Sequence, residues 1–117
     1  MKQRDYQDFL RDILDSIDKI LTFTENVSFD DFKKNTMMEY AVVRCLEIIG
    51  EAAMRLPPPI KNKYPNVPWK DMVAMRNKVI HEYFGVDSEI LWQTVKDDIP
   101  ALRPLIKEII KDNKKQF

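Results

Sequence analysis

Residues 6–21, YQDFLRDILDSIDKIL, set Tyr6, Phe9, Leu10, Ile13, Leu14, Ile17, Ile20 and Leu21 at steps of three and four. Asp8, Arg11, Asp12, Asp15, Asp18 and Lys19 fill the positions between them. A strand would alternate apolar and polar residues every second position, whereas a repeat near 3.6 gathers the apolar side chains on one helical stripe. The stretch therefore predicts an amphipathic helix whose stripe is core. Only two glycines occur in 117 residues and the β-branched residues are scattered rather than alternating, so the chain as a whole leans the same way.

Reading onward, Ser28 followed by Phe29, Asp30 and Asp31 has the form of a helix start, with a hydroxyl cap and acids in the first turn. A longer helix is expected from Thr36 to Arg55, with Ala41, Val42, Cys45, Ile48, Ile49, Ala52 and Leu56 inward. Gly50, Ala52 and Ala53 would let a neighbouring helix approach it closely. Its polar stripe is Tyr40, Arg44, Glu47, Glu51 and Arg55. Pro57, Pro58 and Pro59 end it, because proline lacks the amide hydrogen and crowds the preceding turn. A loop follows, with one turn near Ile60 to Lys63. Pro68 suits the start of the next helix, which runs to about Tyr83 with Gly85 as its left-handed cap. Asp87 or Ser88 caps another, Pro100 kinks or interrupts it, and Leu102, Leu105, Ile106, Ile109 and Ile110 resume the helical stripe. The polar tail from Lys111 to Lys115 is expected to fray. These elements add up to one all-α domain over residues 1–117, an antiparallel up-and-down bundle of four main helices with a short fifth.

Composition removes many functions. There are 19 basic and 19 acidic side chains, so no broad electrostatic grip on long nucleic acid is expected, although a small local basic site is allowed. The lone Cys45, within an apolar run, rules out an internal disulfide framework and reads as a buried small hydrophobe. The charged N-terminus has no signal-peptide core and no apolar run approaches a membrane span, which points to the cytoplasm. One His and one Cys cannot assemble a typical zinc site, and two separated glycines cannot make a phosphate loop, so neither metal nor cofactor is expected.

What remains is RNKVIHEY at 76–83, which holds the only histidine. On a helical wheel Arg76 falls among Trp69, Met72, Val79, Ile80 and Tyr83. A guanidinium among apolar side chains is costly unless something pairs with it, either a carboxylate of the protein or an anionic ligand. Glu47 or Glu51 could reach it, but a solvated face of weak ion pairs is the preferred reading of that stripe, and Glu51 to Arg55 has the favourable order. Asn77 and His81 share one helical stripe, and Arg76 and Tyr83 share its neighbour. Arg76 and His81 diverge by more than a third of a turn, so a second copy of the helix across a two-fold axis would focus them better than one helix. The chemistry suits phosphodiester cleavage without metal. A histidine can take or give a proton at a ribose or leaving oxygen, an arginine can hold phosphate oxygens, and Asn77 can orient either group.

The run from Met75 to Asp87 resembles the HepT-like branch of the HEPN superfamily, whose signature is Arg, a polar residue, three further positions, His, any residue, then Tyr. Arg76, Asn77, His81 and Tyr83 match it without a gap. The likeness extends to Ile49-Gly50-Glu51-Ala52, to Tyr64-Pro65 through Pro68-Trp69 and to Trp92 through Pro100. The resemblance implies a HEPN-like bundle that forms a homodimer, with two motifs in one composite cleft. It implies a metal-independent endoribonuclease toxin acting on RNA, with Arg76 and His81 catalytic and Asn77 supporting. It further implies a minimal nucleotidyltransferase antitoxin as partner, which transfers AMP to Tyr83 and so fills the cleft with an anionic group. Two other readings fit the residues: a non-catalytic module that binds nucleotide or substrate for that nucleotidyltransferase, and a plain interaction bundle in which Arg76 is an internal ion pair.

Overall fold

The computed structural model describes residues 5–81 and 87–114, together with the backbone but not the side chains of 79–81 and 114. Every regular element among them is helical. Four long helices form the bundle: α1 (Tyr6–Phe23), α3 (Thr36–Arg55), α5 (Trp69–His81) and α7 (Ile99–Lys114). Three short ones join them: α2 (Phe29–Lys34), α4 (Pro58–Lys63) and α6 (Ser88–Gln93). No helix among the described residues is long and apolar enough to cross a membrane.

Local chemistry accounts for the boundaries. The Asp5 carboxylate caps α1 by accepting from the amides of Gln7 and Asp8, and Asp8 returns the bond to the Asp5 amide, a complete capping box. Ser28 Oγ accepts from the Asp31 amide at 3.1 Å and starts α2. The prolines do more than end α3: Pro57 caps α4, and Pro58 and Pro59 occupy its first turn, where a missing amide hydrogen costs nothing. The Asp87 carboxylate caps α6 through the Glu89 amide at 2.8 Å. The expected cap at Gly85 lies outside the described residues.

The stripe of α1 is core as read from sequence. Leu10, Ile13, Ile17 and Ile20 are wholly buried, each contributing about 1.5–3 kcal/mol by leaving water. They meet Val42, Leu46, Ile49 and Ala53 of α3 and Leu102, Ile106 and Ile109 of α7 in one cluster. α1 and α7 run antiparallel: Tyr6 at the start of one bonds Asn113 at the end of the other, and Arg103 Nε donates to Asp18 Oδ1 at 2.6 Å at the opposite end.

Two expectations need correction. The interruption at Pro100 is a π-helical turn over Thr94–Asp98, immediately before α7, and Pro100 itself sits in the first turn of α7. The wider turn absorbs the amide that proline cannot supply, which is a usual setting for such bulges. Pro104 lies inside α7 without ending it. The tail is better held as far as Asn113 than its polarity suggests, and Lys115 lies outside the described residues. Asn113 is buried, its amide donates to the Ile109 carbonyl at 2.7 Å, and Tyr64 donates to Asp112 at 3.2 Å. Those polar side chains are satisfied structural contacts rather than a solvated end.

Candidate functional site

The site is built where α5 crosses α3, the most closely packed pair with α1 against α3. Gly50 is buried in the C-terminal third of α3, and a Cβ there would collide with Arg76 Cβ, reach 2.8 Å from the Met72 carbonyl oxygen and 2.9 Å from Arg76 Cγ. The missing side chain thus makes the seat on which the arginine stem rests. This close approach is what the sequence reading anticipated for Gly50, but the residue it seats was not legible from spacing.

Seated this way, Arg76 is half-buried rather than central in the core. Its Nη1 donates to Asn77 Oδ1 at 3.0 Å, so the neighbouring amide holds the tip of the guanidinium. Its Nε is buried and has no hydrogen-bond partner among the described residues. No carboxylate among the described residues pairs with it either. Glu47 lies 3.9 Å from Arg44 and Glu51 lies 3.3 Å from Arg55, so both acids are engaged along α3 itself. That is the solvated, ion-paired face, with neither acid directly linked to Arg76. Asn77 and Lys78 are exposed.

The backbone of α5 carries His81 in its last turn. Its side chain, and all of Tyr83, lie outside the described residues. Of the motif, the structure therefore brings Arg76 and Asn77 together. Among the described residues no group of three or more His, Cys, Asp or Glu side chains could hold a metal ion.

Cys45 is buried on α3, and loss of solvent pushes its thiol above the ordinary range. A raised thiol is a poor nucleophile, so the residue packs rather than reacts. A feature the sequence reading missed is an open polar groove of about 300 Å³ between α1 and α3, whose lining includes Asp12, Asp15, Ser16, Arg44, Glu51 and Arg55. The signal was available: Ser16 interrupts the apolar side of α1 and is nevertheless buried.

The family described as Ribonuclease HepT-like matches residues 13–109. The chain belongs to that family. A protein of Methanocaldococcus jannaschii is 47% identical to it over 112 residues, covering 96% of this chain and 93% of the relative. One from Thermococcus cleftensis is 44% identical over 109 residues, 93% and 99% of the two chains. One from Caldanaerobacter subterraneus is 42% identical over 106 residues, 91% and 95%. The first and third are named as candidate RNases, the second as a candidate ribonuclease HepT. No solved structure matches the chain. As a member of the HepT-like family, the chain has its whole signature-bearing helix inside the matched span.

Proposed function

We propose that this HepT-like chain is a metal-independent endoribonuclease toxin, acting as a two-fold dimer whose cleft holds Arg76 and His81. The observation that carries the reading is the Arg76 guanidinium. It is half-buried, seated on Gly50, held at one nitrogen by Asn77, and left with a buried Nε donor that no described residue satisfies. An unmet buried donor costs on the order of 1–3 kcal/mol. A phosphate oxygen of an RNA ligand would relieve that cost, and it matches the planar fork of an arginine.

The chemistry follows from those groups. A ribose 2′-hydroxyl attacks the adjacent phosphorus as His81 takes its proton. The protonated His81 returns that proton, directly or through water, to the departing 5′-oxygen, and a cyclic phosphate remains on the upstream fragment. Arg76 stabilises the charge that grows on the non-bridging oxygens, which is where a fixed donor lowers the barrier most. Asn77 keeps the guanidinium from swinging out of line.

Control is proposed to lie at Tyr83, with a minimal nucleotidyltransferase as antitoxin. Its hydroxyl attacks the α-phosphate of ATP and releases pyrophosphate, and the bound AMP opposes RNA by charge and volume. Cleavage of RNA in EDTA, lost in Arg76→Ala and in His81→Ala with helical content retained, tests the ribonuclease reading. Unchanged cleavage in both variants would overturn it. A mass gain of AMP on co-expression with the nucleotidyltransferase, absent in Tyr83→Phe, tests the control.

A further inference from the structure

Five large hydrophobic side chains are conspicuously exposed among the described residues, and three of them lie on α3: Met37 at 82%, Tyr40 at 56% and Met54 at 46%. With Arg44, Glu47 and Glu51 they occupy positions 37, 40, 44, 47, 51 and 54, alternating steps of three and four. Such a series stays within an arc of about 100° on an α-helix. The stripe borders the α1 groove, whose edge Arg44 and Glu51 also form, and has Gly50 with Arg76 on its other flank. Alternating steps of this kind form the seam of paired helices.

The order of residues along the stripe carries more. About a point midway between Cys45 and Leu46, Met37 mirrors Met54, Tyr40 mirrors Glu51, and Arg44 mirrors Glu47. A second copy of the same helix, laid antiparallel across that point, would set methionine on methionine at both ends. Each tyrosine hydroxyl would face a carboxylate, and each Arg44 would face a Glu47. Laid parallel, the stripe would instead set Arg44 on Arg44 and Glu47 on Glu47. The Arg44–Glu47 pair already within each chain, at 3.9 Å, would close into a ring of four alternating charges.

We infer that this face of α3 is the surface on which a second copy of the chain docks, antiparallel, about a dyad passing between Cys45 and Leu46. The dyad lies in the interface and is perpendicular to both helices, so it keeps each flank on its own side. The Arg76 flanks of both copies therefore open on the same edge. The two Gly50 seats stand about 14 Å apart along the helices, at 1.5 Å of rise per residue. With about 8–10 Å between the helix axes as well, both arginines face one edge and can meet neighbouring phosphates of a single RNA strand. A parallel arrangement would put the two arginines on opposite edges. The inference names the surface for the dimeric cleft of the proposed function, and rests on that reading only for the sharing of the cleft.

Sedimentation equilibrium of the full chain tests it. The expected mass is twice the 13.9 kDa of one chain. Arg44→Glu and Glu47→Arg, each setting like charges opposite one another twice per interface, should weaken the dimer at least tenfold. The double variant Arg44→Glu/Glu47→Arg should restore it, which a merely misfolded single variant cannot explain. Met37→Asp should also dissociate the pair. A monomeric parent chain, single variants that stay dimeric, or a double variant that does not recover would each overturn the surface. A parent dimer that obeys the charge swap yet cleaves no RNA supports the surface and overturns the ribonuclease reading, so the two failures are separable.

Discussion

The Cβ of Arg76 lies against the bare Cα of Gly50, so that no methyl group fits between α3 and α5 at that point. In an open helix, replacing glycine by alanine would stabilise by roughly 1 kcal/mol. Here the added carbon meets a side chain at its rigid root and the Met72 backbone oxygen, neither of which can fold away. Gly50→Ala is therefore expected to destabilise by about 1–3 kcal/mol, the range of an overpacked core. Urea denaturation measures it, and a raised midpoint would show that the contact is slack.

Asn77 acts on the same arginine from the other side, through the 3.0 Å bond to Nη1. Asn77 is exposed, so Asn77→Ala should leave the denaturation midpoint within about 0.5 kcal/mol of the parent. RNA cleavage should nevertheless fall by one to two orders of magnitude, roughly the loss of an orienting hydrogen bond at a reacting charge. Equal losses of stability and activity would mean that Asn77 holds the helix and not the guanidinium.

How far the sequence could be read follows from these two residues. The helices were legible because burial imposes a period, and the stripe of α1 has it without a break. Gly50 was legible as a close approach, since a mid-helix glycine sacrifices stability for space. Its partner was not, because a wheel gives direction on one helix and says nothing of register between two. Its neighbours on α5 alone set the charge of Arg76 deep in apolar surroundings. The actual depth depends on the crossing with α3, and leaves the tip at the surface beside Asn77. The π-helical turn before Pro100 was likewise hidden, because one proline is compatible with a kink, a break or a widened turn.

Alkaline pH should destabilise the fold through two groups. Burial raises the Cys45 thiol. Burial, then the hydrogen bond to Asp112, raises the Tyr64 phenol. Both are neutral when protonated, so a raised pKa means the unfolded chain releases its proton first. Their contribution is fully present below the ordinary values of about 8.5 and 10, and is lost as pH rises through the folded values. The urea midpoint should fall steadily from about pH 8.5 upward. Tyr64→Phe should flatten the upper part of that fall and Cys45→Ala the lower part. Parallel profiles in all three proteins would place the alkaline loss elsewhere.

Arg76→Met is expected to separate stability from activity most sharply. Methionine keeps a long unbranched stem to lie over Gly50, so the packing at the crossing survives. It removes a charge and the buried Nε donor that lacks a partner among the described residues. Replacing an unsatisfied polar group by an apolar one of similar shape is neutral or stabilising, in contrast to most substitutions at half-buried positions. The variant should unfold at an equal or higher urea concentration, by up to about 1–2 kcal/mol, while RNA cleavage disappears. Arg76→Lys should restore the charge without the planar fork, and recover only a small part of the activity. A clear loss of stability in Arg76→Met would mean that the guanidinium is already satisfied in the free chain, and that its Nε is not kept for a phosphate.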